Sequence, residues 1–170
     1  MLRLFLILIT CLSSSILLAQ NTAPYSLRTK EKVGYIKPDT ARDNPNFTVC
    51  DENYIQEYYQ VNPQYKEGVI SIKNYFKPKL EALNELAESD GIIVIRFVIN
   101  CQGLTGRFRS KYFDENYIKK DQNTALQNAL VDSISAMGYW LPGKFNDQFY
   151  DAYQHIKFRI KDKKIIDVFL

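Results

Sequence analysis

The sequence predicts an α+β fold, a two-layer sandwich with two helices packed on one face of a small antiparallel sheet. Three observations point to it. The stretch Gly91 to Arg109, GIIVIRFVINCQGLTGRFR, reads as two β-strands joined by a tight turn. Apolar residues recur at helical spacing before it, at Phe76, Leu80, Leu83 and Ala87, and after it, at Leu126, Leu130, Ile134 and Met137. A last strand, Tyr153 to Ile160, follows Trp140-Leu141-Pro142-Gly143. The order helix, strand, strand, helix, strand places the helices together on one side of the sheet.

Residues 1–19 are expected to be a signal peptide. Leu2 to Leu18 is apolar with a single charge, Arg3, and the small Ala19 stands before Gln20. The competing reading is an uncleaved inner-membrane anchor, because this run is only just long enough to span a bilayer core; Thr10 and Ser13-Ser14-Ser15 weaken it. Leu8-Ile9-Thr10-Cys11 is a poor lipoprotein signal. Cleavage predicts a protein of the periplasm or cell envelope.

Residues 20–49 are polar, carry Pro24, Pro38 and Pro45 and show no sustained period, so they are expected to form an extended tail. The folded domain is expected over 50–170. Tyr54 to Tyr65, with Tyr58 and Tyr59 between, fits a short helix or a packed loop, and the window is too short for periodicity to choose. The first helix has Pro78 in its first turn and a stop at Ser89-Asp90-Gly91, and a further strand is expected near Val69 to Ile72. Strand signals follow in Ile92 to Ile99, with a turn at Asn100 to Gly103 in which Gly103 supplies the positive φ. The second strand runs from about Leu104 to Phe113. Asp121 or Asn123 is placed to cap the second helix and Gly138 to end it. The last strand spans Asp151 to Ile160, and Ile165 to Phe169 either continues it or folds back as another.

Composition narrows the function. With 46% apolar residues the chain can build a core, and a net charge of +3 is too small to imply a nucleic-acid partner. Gly103-Leu104-Thr105-Gly106 matches the RNA-clamping loop of KH domains in letters only, since it joins two strands, and GRFRSKYF lacks the stacking pattern of RNA-recognition strands. Without its leader the chain keeps two cysteines, Cys50 and Cys101, and an even pair in an exported chain is most simply a disulfide.

A secreted enzyme using Cys101 or His155 is the alternative from another class, and oxidation of Cys50 to Cys101 would remove its nucleophile. The lone histidine cannot readily assemble a zinc site, and Glu85, Glu88, Asp114 and Glu115 show no acid/base pairing, so no metal, cofactor or catalytic residue is expected.

Strand alternation puts Arg107, Arg109 and Lys111 on one face, with Phe108 and Tyr112 on the other. His155, Lys157 and Arg159 stand likewise opposite Ile156, Phe158 and Ile160. Joined by Arg96, these form a basic sheet face. It is either a solvated face, with His155 exposed on it, or a docking surface for an acidic peptide or lipid headgroup.

The order of Gly91, Arg96-Phe97-Val98, Gly103, the helix ending near Met137, Trp140-Leu141-Pro142 and His155 to Ile160 resembles the C-terminal domain of TonB, the periplasmic energy transducer of Gram-negative bacteria. The resemblance covers roughly Gly68 to Leu170. It implies a non-enzymatic module that binds a short segment of an outer-membrane transporter by adding it as a strand to the edge of its sheet. By resemblance that edge is Tyr153, Gln154, His155, Ile156, Lys157, Phe158, Arg159 and Ile160, unless Ile165 to Phe169 folds back and covers it. Trp140 and Pro142 are expected to pack and shape their turn. A cleavable leader and a tail with only three prolines depart from a full transducer, so a freestanding envelope module is expected, with an anchored TonB-like transducer as the alternative.

Overall fold

β-Branched residues from Ile92 to Ile99 build the central strand of a five-stranded antiparallel sheet. The computed structural model describes residues 34–170. Its elements are α1 (Tyr58–Val61), β1 (Gln64–Tyr65), α2 (Val69–Phe76), α3 (Leu80–Asn84), β2 (Gly91–Ile99), β3 (Thr105–Phe113), β4 (Lys119–Lys120), α4 (Thr124–Ser135), β5 (Trp140–Leu141), β6 (Gly143–Phe145), β7 (Gln148–Tyr150), β8 (Ala152–Lys161) and β9 (Lys164–Phe169). The main sheet has the order β4-β3-β2-β8-β9, and β1-β5 and β6-β7 form two small separate pairs. The fold is α+β, with α2, α3 and α4 over one sheet face.

The core forms where the helical stripes meet that face. Ile93, Ile95, Phe97 and Ile99 of β2 and Ile156, Phe158 and Ile160 of β8 pack with Ile72, Phe76 and Leu83 and with Leu126, Leu130 and Ile134. Phe76 meets Phe158 edge to face at 4.9 Å, and Trp140 sits between Phe97 and Tyr65, both at 5.1 Å. Trp140 therefore packs, as its position before the last strand suggested. Leu126, Leu130 and Ile134 are all fully buried; each contributes roughly 1.5–3 kcal/mol by leaving water.

Several local expectations are corrected. Val69 to Ile72 is the first turn of α2, not a strand: Ile72 and Phe76 lie four residues apart on the buried face. Pro78 does not open the helix but divides it. Lacking an N–H, it cannot continue the α-helical ladder, and Lys77–Lys79 tightens into a 3-10 turn between α2 and α3. Tyr54 to Tyr65 resolves into the single turn α1 and the short strand β1.

Asn123 precedes α4, but its side chain does not cap that helix. Its Oδ1 instead accepts the amides of Glu88 and Ser89 at 2.6 and 3.1 Å, tying the loop after α3 to the start of α4. Gly138 is not the left-handed residue after α4; Tyr139 is, at φ 66°. The turn at Gly103 is as expected, with φ 82°, and a Cβ there would collide with the Trp140 carbonyl oxygen.

The largest correction concerns residues 34–49, expected as an extended tail. Together with residues 50–57 they run across the second face of the sheet as a strap. Ile36 and Ile55 form a second apolar cluster with Val98 and Tyr153, flanked by Tyr35, Phe47 and Val49. The Phe47 ring lies directly over Gly106, where only a residue without Cβ leaves room for it. Residues 20–33 of the expected tail and the whole leader, Leu2 to Leu18 included, lie outside the described residues. Among the described residues, no helix is long and apolar enough to cross a membrane.

Candidate functional site

Strand register arranges the second face in rows. Arg96 of β2 stands between Arg109 of β3 and His155 of β8, and Val94 stands between Lys111 and Lys157. The basic face predicted from alternation thus exists, with one irregularity: a bulge opposite Phe97 puts Arg107 at φ 56° and breaks the alternation there.

This face is neither simply solvated nor free, because the strap supplies its counter-charges. Arg107 donates to Glu52 at 2.8 Å, Arg109 binds Asp43 through both Nη atoms, and Arg96 donates to the Gly34 carbonyl at 2.6 Å. Hydrogen bonding from Arg109 holds the Asp43 carboxyl below its ordinary range. His155, expected to be exposed, is 8% exposed, with Tyr58 against its ring at 4.8 Å. Burial first, then the charges of Lys157 and Arg96, pushes its pKa down to about 4. Burial likewise pushes the Tyr153 phenol up to about 12.

Cys50 and Cys101 form the predicted disulfide, with Cα atoms 6.1 Å apart. Beside it the buried Asp151 carboxylate accepts the amides of Cys101 and Asp51 at 2.8 and 2.7 Å. These groups staple the strap to the β2–β3 turn. The two sulfurs and Asp151 come together in space, but the sulfurs are bonded to each other. Cys101 lies beyond the end of β2 that pairs with Ala152, whereas His155 pairs with Arg96. At about 3.3 Å per strand residue, that separates them by roughly 10 Å or more.

The edge expected at Tyr153 to Ile160 is not free. Lys157 to Lys161 pair with β9, which folds back as the alternative anticipated. Nearer the start of β8, Tyr153 donates its amide to the Gln56 carbonyl at 2.8 Å, and Gln56 donates to Asp151 at 2.9 Å. Between these two covers, the His155 amide donates to the Gln154 side chain at 2.8 Å. The outer strand β9 is guarded too: the Ile165 amide donates to the Asn84 side chain and the Val168 amide to Asp167. Side chains occupying edge amides in this way suppress strand pairing.

The opposite edge differs. β3 pairs with β4 only at Tyr112 and Phe113, so Thr105 to Lys111 has no strand partner on that side among the described residues. The Asp114 amide donates outward to the Ile118 carbonyl at 3.0 Å. At a period of two, Ser110 and Phe108 aim their backbone groups the same way. The Phe108 carbonyl accepts from Arg109 Nη1 at 2.8 Å, in agreement. Beside this edge opens a cleft of about 910 Å³, floored by Val94, Lys111 and Phe113 and walled by Tyr35, Ile36 and Pro38 of the strap.

Sequence reading found the basic residues and the disulfide but missed the strap, the guarded edges and the open β3 edge. The usable signal was the pairing of acids Asp43 and Glu52 with a face rich in arginine. No protein-family model, curated protein or solved structure matches this chain.

Proposed function

We propose that this chain is a non-enzymatic protein-binding module of the cell envelope, of the TonB C-terminal type and linked to TonB-dependent transport, and that it takes up a partner segment by strand addition. The observation that carries this reading is the unpaired stretch Thr105 to Lys111 of β3, in a sheet where the amides of His155, Ile165 and Val168 on the opposite side are occupied by side chains. An unpaired edge offers backbone donors and acceptors for affinity, and the alternate side chains of an incoming strand supply selectivity. The features behind the TonB resemblance fall on connected elements: Gly91 and Arg96-Phe97-Val98 on β2, Gly103 in the turn, Trp140 on β5 and His155 to Ile160 on β8. The docking edge is β3 and not the last strand, where the resemblance had put it.

The test uses eight-residue peptides with Val at alternate positions and Glu, Gln or Lys between them. Hydrogen exchange should show the Ser110 amide protected by at least one of them. Ser110→Pro should abolish that binding while leaving the melting temperature nearly unchanged, because proline is tolerated where an edge N–H faces solvent. Binding by none of the peptides, or equal binding by Ser110→Pro, would sink the reading.

A further inference from the structure

We infer that the segment received at the β3 edge is acidic, with carboxylates at alternate positions reaching Lys37, Lys111 and Lys119 in the cleft beside it. This deepens the strand-addition reading and rests on it. The lysines and arginines lining the cleft are Lys37, Arg42, Arg96, Arg109, Lys111 and Lys119, against the single acid Asp39. The strap already satisfies the arginines. Arg42 pairs with Asp39 at 3.5 Å, Arg109 with Asp43 at 2.6 Å and Arg96 with Glu57 at 3.9 Å. Lys37, Lys111 and Lys119 are exposed and have no carboxylate partner among the described residues.

Geometry makes those three lysines readable by one strand. A segment added beside β3 sends alternate side chains to the two faces of the sheet. On the second face they stand next to Lys111 and over the cleft mouth, where cross-strand neighbours of opposite charge attract. On the other face they lie beside Phe108, which is half-buried against the core and stacks on Phe97 at 5.3 Å. The fitting occupant therefore alternates acidic and apolar residues, acids toward the cleft and apolar side chains toward Phe108. The strap is a precedent within the chain, since Asp43 and Glu52 already bind Arg109 and Arg107 of the same strand.

The three peptides separate this inference from the reading beneath it. The Glu-Val peptide should bind about tenfold more tightly than the Gln-Val peptide, as expected of two or three exposed ion pairs. The Lys-Val peptide should bind weakest, and the Glu-Val advantage should shrink in high salt. Reversing the charges with Lys37→Glu, Lys111→Glu and Lys119→Glu together should turn the preference toward Lys-Val. If Gln-Val binds as tightly as Glu-Val at every salt concentration and both protect Ser110, the acidic partner is overturned and strand addition stands. If Glu-Val binds equally well to Ser110→Pro, with the charge-reversed variant defective, strand addition falls and acid recognition in the cleft stands. A single-stranded oligonucleotide that binds more tightly than Glu-Val and leaves Ser110 unprotected overturns the proposal.

Discussion

The Asp43 carboxylate receives two hydrogen bonds from the Arg109 guanidinium, 2.6 Å from Nη1 to Oδ1 and 3.0 Å from Nη2 to Oδ2. This parallel pair pins the middle of the strap to β3, next to the open edge. Both side chains are largely withdrawn from water, at 22% and 12% exposure, so removing one partner costs more than at a surface ion pair and less than at a fully buried one. Asp43→Asn keeps the shape but loses the charge and should lower stability by about 1–2 kcal/mol. Urea denaturation measures the loss. Hydrogen exchange should show the added opening concentrated in residues 34–49, and a loss spread evenly over the sheet would contradict the pinning role.

Phe47 and Gly106 form a lock of a different kind. A Cβ at Gly106 would collide with Cγ of the Phe47 ring, so Gly106→Ala must push the ring off the sheet. The expected cost is about 1–3 kcal/mol. Phe47→Ala alone also destabilises, by removing a ring from the second cluster. In the double variant the methyl group added at position 106 meets no ring, so the two costs should fall short of additive by about 1 kcal/mol or more. A thermal-melt cycle over the four proteins reads this directly, and strict additivity would mean the ring does not rest on Gly106.

The Cys50–Cys101 bond closes a separation of 51 residues. In the chain-entropy view its removal costs at most roughly 4 kcal/mol, less whatever native-state strain that removal relieves. Replacing both cysteines with serine should therefore lower stability by about 2–4 kcal/mol. Asp151 should retain its two backbone partners at first, so the β2–β3 turn should stay formed while the strap frays from Cys50 toward Gly34. Proteolysis of the reduced protein should cut first within the strap; a first cut in β2 or β3 would contradict this order.

Elements defined by short-range periodicity were legible in the sequence. The alternation in β8 and the stripe Leu126, Leu130 and Ile134 of α4 follow from spacing alone, because each buries one face against the same core. The strap was illegible for the opposite reason. Its residues have no period, and its placement depends on long-range partners: Asp43 with Arg109, Glu52 with Arg107, Phe47 over Gly106. The sheet edges were hidden likewise, since Gln154 satisfying the His155 amide and Asn84 satisfying the Ile165 amide leave no sequence pattern. The β6–β7 hairpin did carry a signal that went unread. Asn146 and Asp147, both at positive φ, are residue types that tolerate this two-residue turn.

His155 makes stability depend on pH in a window where little else titrates. It is the chain's single histidine, and burial, with Lys157 and Arg96 nearby, lowers its pKa from 6.5 to about 4 in the folded protein. Between those values the unfolded chain takes up a proton that the folded one refuses, so stability falls as pH drops through the window. The full effect is on the order of 3 kcal/mol. Asp43, Asp90 and Asp167 are held below their ordinary range by hydrogen bonds, from Arg109, from the Lys163 amide and from Lys73 respectively. Their stabilisation is present above the unfolded carboxylate value and is lost only as pH falls below it. The two windows are therefore separate. His155→Phe preserves a ring against Tyr58 and removes the titration, so its stability should be nearly flat from about pH 6.5 to 4.5, where the parent protein declines. Urea midpoints across that range decide the matter, and parallel slopes for the two proteins would show that the folded protein protonates the imidazole as readily as the unfolded chain does.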